Sequence, residues 1–579
     1  MSEESSSPSA ARHPTSAIRL GVVICDCGKA IARRLDTESL RRRAAALPDV
    51  VYTAREAYPC SKDGQARLRQ AIRDQGLNRV LVAGCTPRLV EKLFREAGRA
   101  AGLDDACVEV TDIREQCAYV HDGDAQTMTE KAHNLIEMGV ERLAAISLPQ
   151  VHTGRVVKSA MVMDGGLSGL TVALSLADEG IDVTLVEPGG ALGDLQPPLS
   201  SPPSDGGNRG GAGARRLIAE RIEAVSRHPR IRTLLNARVT DVTGRPGDYE
   251  VRLTHGGQAT TFGVGAIVVA ADANPKRIGH ERWYDRSRVK TQIEFEQELS
   301  APSQADGDLA AKDIVMILCA EEAGGGRCSR VCCLAGIRQA VRVKQIHPDA
   351  KVTVLFRNLY LGGSGDLHAD ELEQARRLGV TFFRYQKEQP PTIGEETVDV
   401  PDPLTGEPLR VPFDRVVLAM PIEAPHLAGR LAALLHLPQD EHGFLVEPRV
   451  RLRPGRTVDD GVYVVGGAHQ PVDTAEALLQ AYATGARAAR FLSQTEIRIE
   501  APVAEVDASL CTGDGHCVPV CPTAALTLVR SELQGVLSLA QVEPLRCTGC
   551  GNCVVACPVK AISLPGWNDA AILAQISAA

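Results

Sequence analysis

Apolar and polar positions alternate with a changing period along the chain. Over residues 18–148, short apolar runs at 20–25 and 79–85 read as buried strands separated by helical patterns, which predicts a small α/β domain. Each of these two runs ends in a cysteine, Cys25 and Cys85. A second α/β region extends from Ser159 to about Leu492, opening with a strand at 160–163, a glycine-rich turn and a helix at 170–179; further strands are expected at 183–186 and 313–319. Residues 196–213, dominated by Pro, Ser and Gly, cannot bury a core and are expected to form a flexible surface loop. From about Ile499 the chain is short of apolar runs and dense in cysteine. The predicted domains are therefore 18–148, 149–497 and 498–579, behind a polar tail of residues 1–17.

Composition narrows the function classes. The 579 residues suffice for several cores, and 44% hydrophobic with 23% charged residues is ordinary for a soluble protein. No stretch approaches the roughly 18 consecutive apolar residues of a spanning helix. A net charge of -8, from 64 basic and 72 acidic residues, argues against a nucleic-acid footprint, and 3% aromatics leaves little for base stacking. The start lacks the basic-then-apolar order of an export signal, so a cytoplasmic location with reduced thiols is expected. The 17 cysteines then point to metal or redox chemistry rather than disulfides.

Two cysteine-free spans, 118–318 and 334–510, divide these cysteines into three groups. In the last, Cys547, Cys550, Cys553 and Cys557 followed by Pro558 have the spacing of bacterial ferredoxins. Structural zinc is the weaker reading, because zinc sites favour paired knuckles. An earlier run, Cys511, Asp514, Cys517 and Cys521 followed by Pro522, repeats the spacing with aspartate at the second position. In a two-cluster fold the fourth cysteine of each run faces the other cluster. That assigns Cys547, Cys550, Cys553 and Cys521 to one complete cluster, and Cys511, Cys517 and Cys557, with Cys557 expected to open a helix, to an incomplete one. At the open corner Asp514 ligates iron, or the corner is empty and the cluster has three irons, or His516 or solvent fills it. In the central group, Cys319 ends a strand and Cys328, Cys332 and Cys333 stand at the start of a helix, so four thiolates can converge on a third four-iron cluster.

Beyond these motifs, 24–28 (Ile-Cys-Asp-Cys-Gly), 84–88 (Gly-Cys-Thr-Pro-Arg), 112–121 (Asp-Ile-Arg-Glu-Gln-Cys-Ala-Tyr-Val-His) and 461–466 (Gly-Val-Tyr-Val-Val-Gly) complete a pattern over almost the whole chain. Together they resemble the A subunit of heterodisulfide reductase, an iron-sulfur flavoprotein family. The resemblance implies an α/β protein whose N-terminal domain carries a cluster, whose middle domain is a thioredoxin-reductase-like dinucleotide-binding fold holding FAD, and whose two-cluster ferredoxin tail hands electrons to partner subunits. It implies four N-terminal ligands among Cys25, Cys27, Cys60, Cys85 and Cys117, with Cys107 structural. It also implies complex partners, namely heterodisulfide-reductase B- and C-like subunits and hydrogenase or dehydrogenase subunits, with a homodimer inside the complex. A ferredoxin module that many members insert in the middle domain has no cysteines here.

The flavin seat departs from the pattern. Gly165, Gly166, Gly169 and the ribose acid Glu187 are candidate cofactor contacts, but the first glycine position is Asp164, and two further family glycines are Asp194 and Asp272. A carboxylate beside a pyrophosphate adds like-charge repulsion, which counts against FAD. Arg338 stands where the family has a flavin-tuning lysine, and arginine cannot give up its proton. No catalytic triad is legible. The expected function is an electron-transfer subunit with about four clusters; the alternatives are a FAD-dependent electron-bifurcating oxidoreductase component and a cluster-stabilised scaffold.

Overall fold

A computed structural model describes residues 18–146, 152–193, 210–275, 284–285, 287–300, 312–319, 328–361, 369–402, 405–447, 455–499, 502–531, 537–566 and 569–579. The chain forms two compact units. One combines Met1–His152 with Ile499–Ala579, and the other is Thr153–Arg498.

In the first unit, four parallel strands run in the order Val50–Glu56, Leu20–Cys25, Arg79–Gly84, Val108–Asp112. The central strand is apolar at nearly every position because helices cover both of its faces. Leu20, Val22 and Ile24 enter the core beneath the helices Thr37–Ala44 and Ala125–Ala145, while Val23 packs with Leu68, Ile72 and Phe94 on the other face. Asp36, Ser61 and Asp124 cap helices by accepting a backbone N–H, which fixes where each helix begins. The ferredoxin segment has an antiparallel hairpin, Leu526–Arg530 with Ser538–Val542, and a small core containing Cys517 and Cys553. The terminal helix Asp569–Ser577 returns to the N-terminal domain, where buried Ala571 joins the core of Ile136 and Val140.

The second unit contains one architecture twice. A five-stranded parallel sheet, ordered Val462–Val464, Ala266–Val269, Ser159–Met163, Asp182–Val186, Ile231–Leu234, is accompanied by the antiparallel strands Ala237–Arg245, Asp248–His255 and Gln258–Val264. The second parallel sheet, ordered Val289–Thr291, Arg415–Leu418, Asp313–Ile317, Lys351–Phe356, Thr381–Arg384, is accompanied by Thr392–Ile393, Thr397–Pro401 and Pro408–Pro412. Two open parallel sheets, each with a three-stranded antiparallel companion, form the paired dinucleotide-type architecture expected for this region. Alternate residues of Ser159–Met163 serve different cores, Ala160 and Val162 on one face, Met161 and Met163 on the other.

Some expectations change. The low-complexity segment ends earlier than its composition suggests, because a helix runs from Gly210 to Arg227; residues 196–209 and Asp194 lie outside the described residues. Cys557 closes a helix instead of opening one: Gly551, at φ 79°, starts the short helix Asn552–Ala556, and Pro558 supplies no N–H to extend it. Among the described residues, no helix is long and apolar enough to cross a membrane.

Candidate functional site

All three parallel sheets present their chemistry at the carboxyl ends of their strands, the edge where open α/β sheets bind ligands. In the N-terminal domain, Cys25 ends one strand, Cys27 follows it, and Cys60 and Cys85 lie just beyond the ends of its two neighbours. The turn between them is tightly held: Asp26 accepts two hydrogen bonds from Arg55 Nε, at 2.9 and 3.0 Å, and the Cys27 amide donates to Cys25 Sγ at 3.2 Å. Burial pushes the Cys25 thiol up to about 12, with Cys85, Cys27 and Cys60 adding like-charge repulsion. Burial also pushes Cys85 up to about 11, opposed by the Arg114 guanidinium and reinforced by Cys27. Burial and mutual repulsion favour neutral thiols here, and a cationic centre bound among them would draw off their protons.

The fifth candidate, Cys117, is not part of this gathering. It is fully buried beside Ile113 and Ala132, and its thiol donates to the Met128 carbonyl at 3.2 Å. Cys107 is buried as well and accepts from Arg79 at 3.7 Å.

In the second unit, Cys319 follows the strand Asp313–Ile317 with φ 60°, and Cys332 and Cys333 open the helix Cys332–Ile346. Cys319, Cys328 and Cys332 line one cavity with Ser329, Arg357, Asn358, Ala419 and Pro421. Cys333 reaches the Asn358 carbonyl at 3.5 Å and shares a hydrogen bond with Cys332, which pushes Cys332 up and pulls Cys333 down to about 7. Burial raises Cys328, and the nearby Cys333 and Cys319 raise it further. The four thiols are thus neighbours. Tyr385 fixes the loop, donating to the carbonyls of Leu318 and Cys319 at 2.8 and 2.9 Å.

In the ferredoxin segment the two motifs cross. Cys521 lines a cavity with Cys547, Cys550 and Cys553, and burial pushes Cys553 up to about 11 with those same three thiols adding to it. Cys517 is raised by burial and by Asp514, Cys511 and Cys557. Asp514, near Cys517, is a carboxylate held at about 2 by hydrogen bonds from the Thr512 hydroxyl at 2.7 Å and from the His516 amide and ring at 3.0 and 2.8 Å. His516 is therefore bonded to the aspartate.

Among the described residues, no three His, Cys, Asp or Glu side chains are gathered as tightly as a single ion requires. Thiolates about 2.3 Å from one zinc stand within about 4 Å of each other, whereas a four-iron cube carries its thiolates on separate corners.

The glycine turn before the helix Leu167–Asp178 is lined with acid. Asp164, at φ 86°, accepts the Gly166 amide at 3.0 Å. Asp272 lies over Gly166, where a Cβ would fall 2.0 Å from its Oδ2. Glu187 accepts the Gly165 and Gly189 amides at 2.8 and 2.5 Å. Burial pushes Asp164 up to about 7, aided by Glu187, and Asp272 up to about 8, aided by Asp164 and Glu187. The second glycine of such a turn normally leaves room for the pyrophosphate. Here Asp272 fills that room, so these residues do not fit a dinucleotide. Arg338 forms a two-point ion pair with Glu371, at 2.7 and 2.8 Å.

Comparison with known proteins gives a consistent picture. A family model described as a 4Fe-4S binding domain matches residues 504–527 and 540–563. An iron-sulfur A subunit of the CoB–CoM heterodisulfide reductase of Methanopyrus kandleri is 29% identical over 89% of this chain and 91% of that protein. The corresponding iron-sulfur A subunit of Methanocaldococcus jannaschii is 28% identical over 89% of this chain and 92% of its own length. Over almost nine-tenths of its length the chain is similar to heterodisulfide reductase A subunits. These relatives support the resemblance read from the sequence motifs, and the tail matches a 4Fe-4S binding domain. Among solved structures, a thioredoxin reductase from T. acidophilum covers 58% of this chain and 97% of its own, at 17% identity and a TM-score of 0.37. The site also contains groups the cysteine pattern did not single out. Arg114 donates to Cys27 Sγ at 3.1 Å, pairs with Glu115 and stacks 5.4 Å from the Tyr119 ring. Its signal in the sequence was its place in the 112–121 motif.

Proposed function

We propose that the chain is an electron-transfer subunit of a heterodisulfide-reductase-like complex, relaying electrons through four iron-sulfur clusters between a donor and a catalytic partner. One cluster is held by Cys25, Cys27, Cys60 and Cys85, one by Cys319, Cys328, Cys332 and Cys333, one by Cys521, Cys547, Cys550 and Cys553, and one by Cys511, Cys517, Cys557 and Asp514. Iron-sulfur clusters supply reversible one-electron chemistry. The chain's own contribution is to set their surroundings: Arg114 places a cation on Cys27, Tyr385 fixes the Cys319 loop, and Thr512 and His516 keep Asp514 ionised. The observation that carries this reading is the crossing of the two ferredoxin motifs, with Cys521 beside Cys547, Cys550 and Cys553.

The relatives name the company such a protein keeps. One from Methanothermobacter thermautotrophicus, 29% identical, is the A subunit of an H(2):CoB-CoM heterodisulfide,ferredoxin reductase. Partners here are accordingly B- and C-like subunits with a hydrogenase or dehydrogenase as donor, in a cytoplasmic complex containing two copies of this chain. A bifurcating role requires a flavin seat, and the carboxylates at Gly166 oppose one. The test is iron and acid-labile sulfide in anaerobically purified protein: four clusters give roughly 15 to 16 irons per chain, and about eight would leave only the ferredoxin pair.

A further inference from the structure

The first dinucleotide fold of the second unit retains its shape while the place of the cofactor phosphates is filled from within. In such folds the helix after the glycine turn directs its first N–H groups at a phosphate, and the second glycine lets the phosphate approach the backbone. Here the helix Leu167–Asp178 has no side-chain cap at its N-cap residue, Gly166. The Gly166 amide is instead taken by the Asp164 carboxylate at 3.0 Å. The space over Gly166 is taken by Asp272, and both oxygens of Glu187 already accept backbone amides.

Each carboxylate comes from a different strand end. Asp164 follows Ser159–Met163, Glu187 follows Asp182–Val186 and Asp272 follows Ala266–Val269. Asp164 occupies a left-handed conformation that glycine adopts without strain, so the chain carries a backbone cost at the residue that delivers the carboxylate. We propose that Asp164 and Asp272 form a built-in carboxylate plug that replaces the dinucleotide phosphates, so that this fold stands without FAD. Close packing of the two acids is tolerable because burial and mutual repulsion keep protons on them, Asp272 up to about 8. A pyrophosphate would have to displace both side chains and would bring its charge beside Glu187.

The test uses the intact, anaerobically purified chain. Acid extraction is expected to release no flavin, and added FAD is expected to leave the thermal midpoint and the flavin fluorescence unchanged. The double variant Asp164→Gly with Asp272→Gly reopens the space and is expected to bind FAD at least tenfold more tightly than the parent. Stoichiometric flavin in the native protein, or a midpoint raised by FAD, overturns the plug and needs no variant. Equal FAD affinity in parent and folded double variant also overturns it. Iron content on the same preparations reports separately on the cluster reading, so failure of one leaves the other measurable.

Discussion

Replacing Cys117 with alanine separates a packing cysteine from a ligand. Its thiol is fully buried in the core with Ile113, Ala132 and Ile136, and it donates a hydrogen bond to the Met128 carbonyl. Cys117→Ala deletes a single heavy atom, worth about 1 kcal/mol of burial and cavity cost. The thiol is a weak donor, so the lost hydrogen bond adds a few tenths of a kcal/mol at most, and the total is about 1–1.5 kcal/mol. At about 2–4 °C per kcal/mol for a unit of this size, the apparent midpoint falls by roughly 2–6 °C. Iron is unaffected. Cys85→Ala, by contrast, removes one of four gathered thiols and is expected to lose about four irons per chain. Iron analysis with electron paramagnetic resonance and a thermal scan on both variants is the assay. Loss of iron in Cys117→Ala together with full iron in Cys85→Ala would refute the assignment of the N-terminal ligands.

Asp514→Cys completes the first ferredoxin motif, and since thiolate binds iron more covalently than carboxylate, any oxidised three-iron signal left by loss of the Asp514-held iron should disappear; persistence of such a signal would mean Asp514 does not face that corner. Arg114→Gln removes a charged donor from Cys27, which favours the more oxidised cluster and should lower its potential by tens of millivolts in an EPR-monitored redox titration, with Arg114→Lys recovering part of the shift. Asp164 and Asp272 keep protons in the folded state that an unfolded carboxylate releases near 4, so their contribution is complete below about 4 and is lost as pH rises through about 7 and 8. The second unit should therefore melt at lower temperature at pH 8.5 than at pH 5.5, and Asp272→Asn should flatten that dependence. Ala571→Glu places a charge in an apolar core and should detach the terminal helix, seen as faster proteolysis after residue 566 with the ferredoxin clusters retained.

The strands of both parallel-sheet regions were legible because they are apolar on both faces and bounded by glycine turns, as in Leu20–Cys25 and Ser159–Met163. The ferredoxin crossing was legible because its ligands follow one another at fixed spacing. The choice among five N-terminal cysteines was not, since Cys60 reaches Cys25 only through parallel pairing of strands, and Cys117 is withdrawn into the core where it bonds to Met128 eleven residues away. The aspartates at 164 and 272 were visible as departures from a glycine pattern. Their meeting over Gly166 depends on two strand ends more than a hundred residues apart. Arg338 was assigned by position to a flavin, and the helix Ala369–Arg377 supplies Glu371 to pair with it.

That this chain carries electrons on four clusters without a flavin is tested most directly by anaerobic reductive titration of the full chain, with uptake counted and each cluster followed by EPR. About four electrons per chain are expected, one for each cluster, taken up and returned reversibly. About six electrons with a flavin spectrum, or about two confined to the ferredoxin clusters, would contradict it.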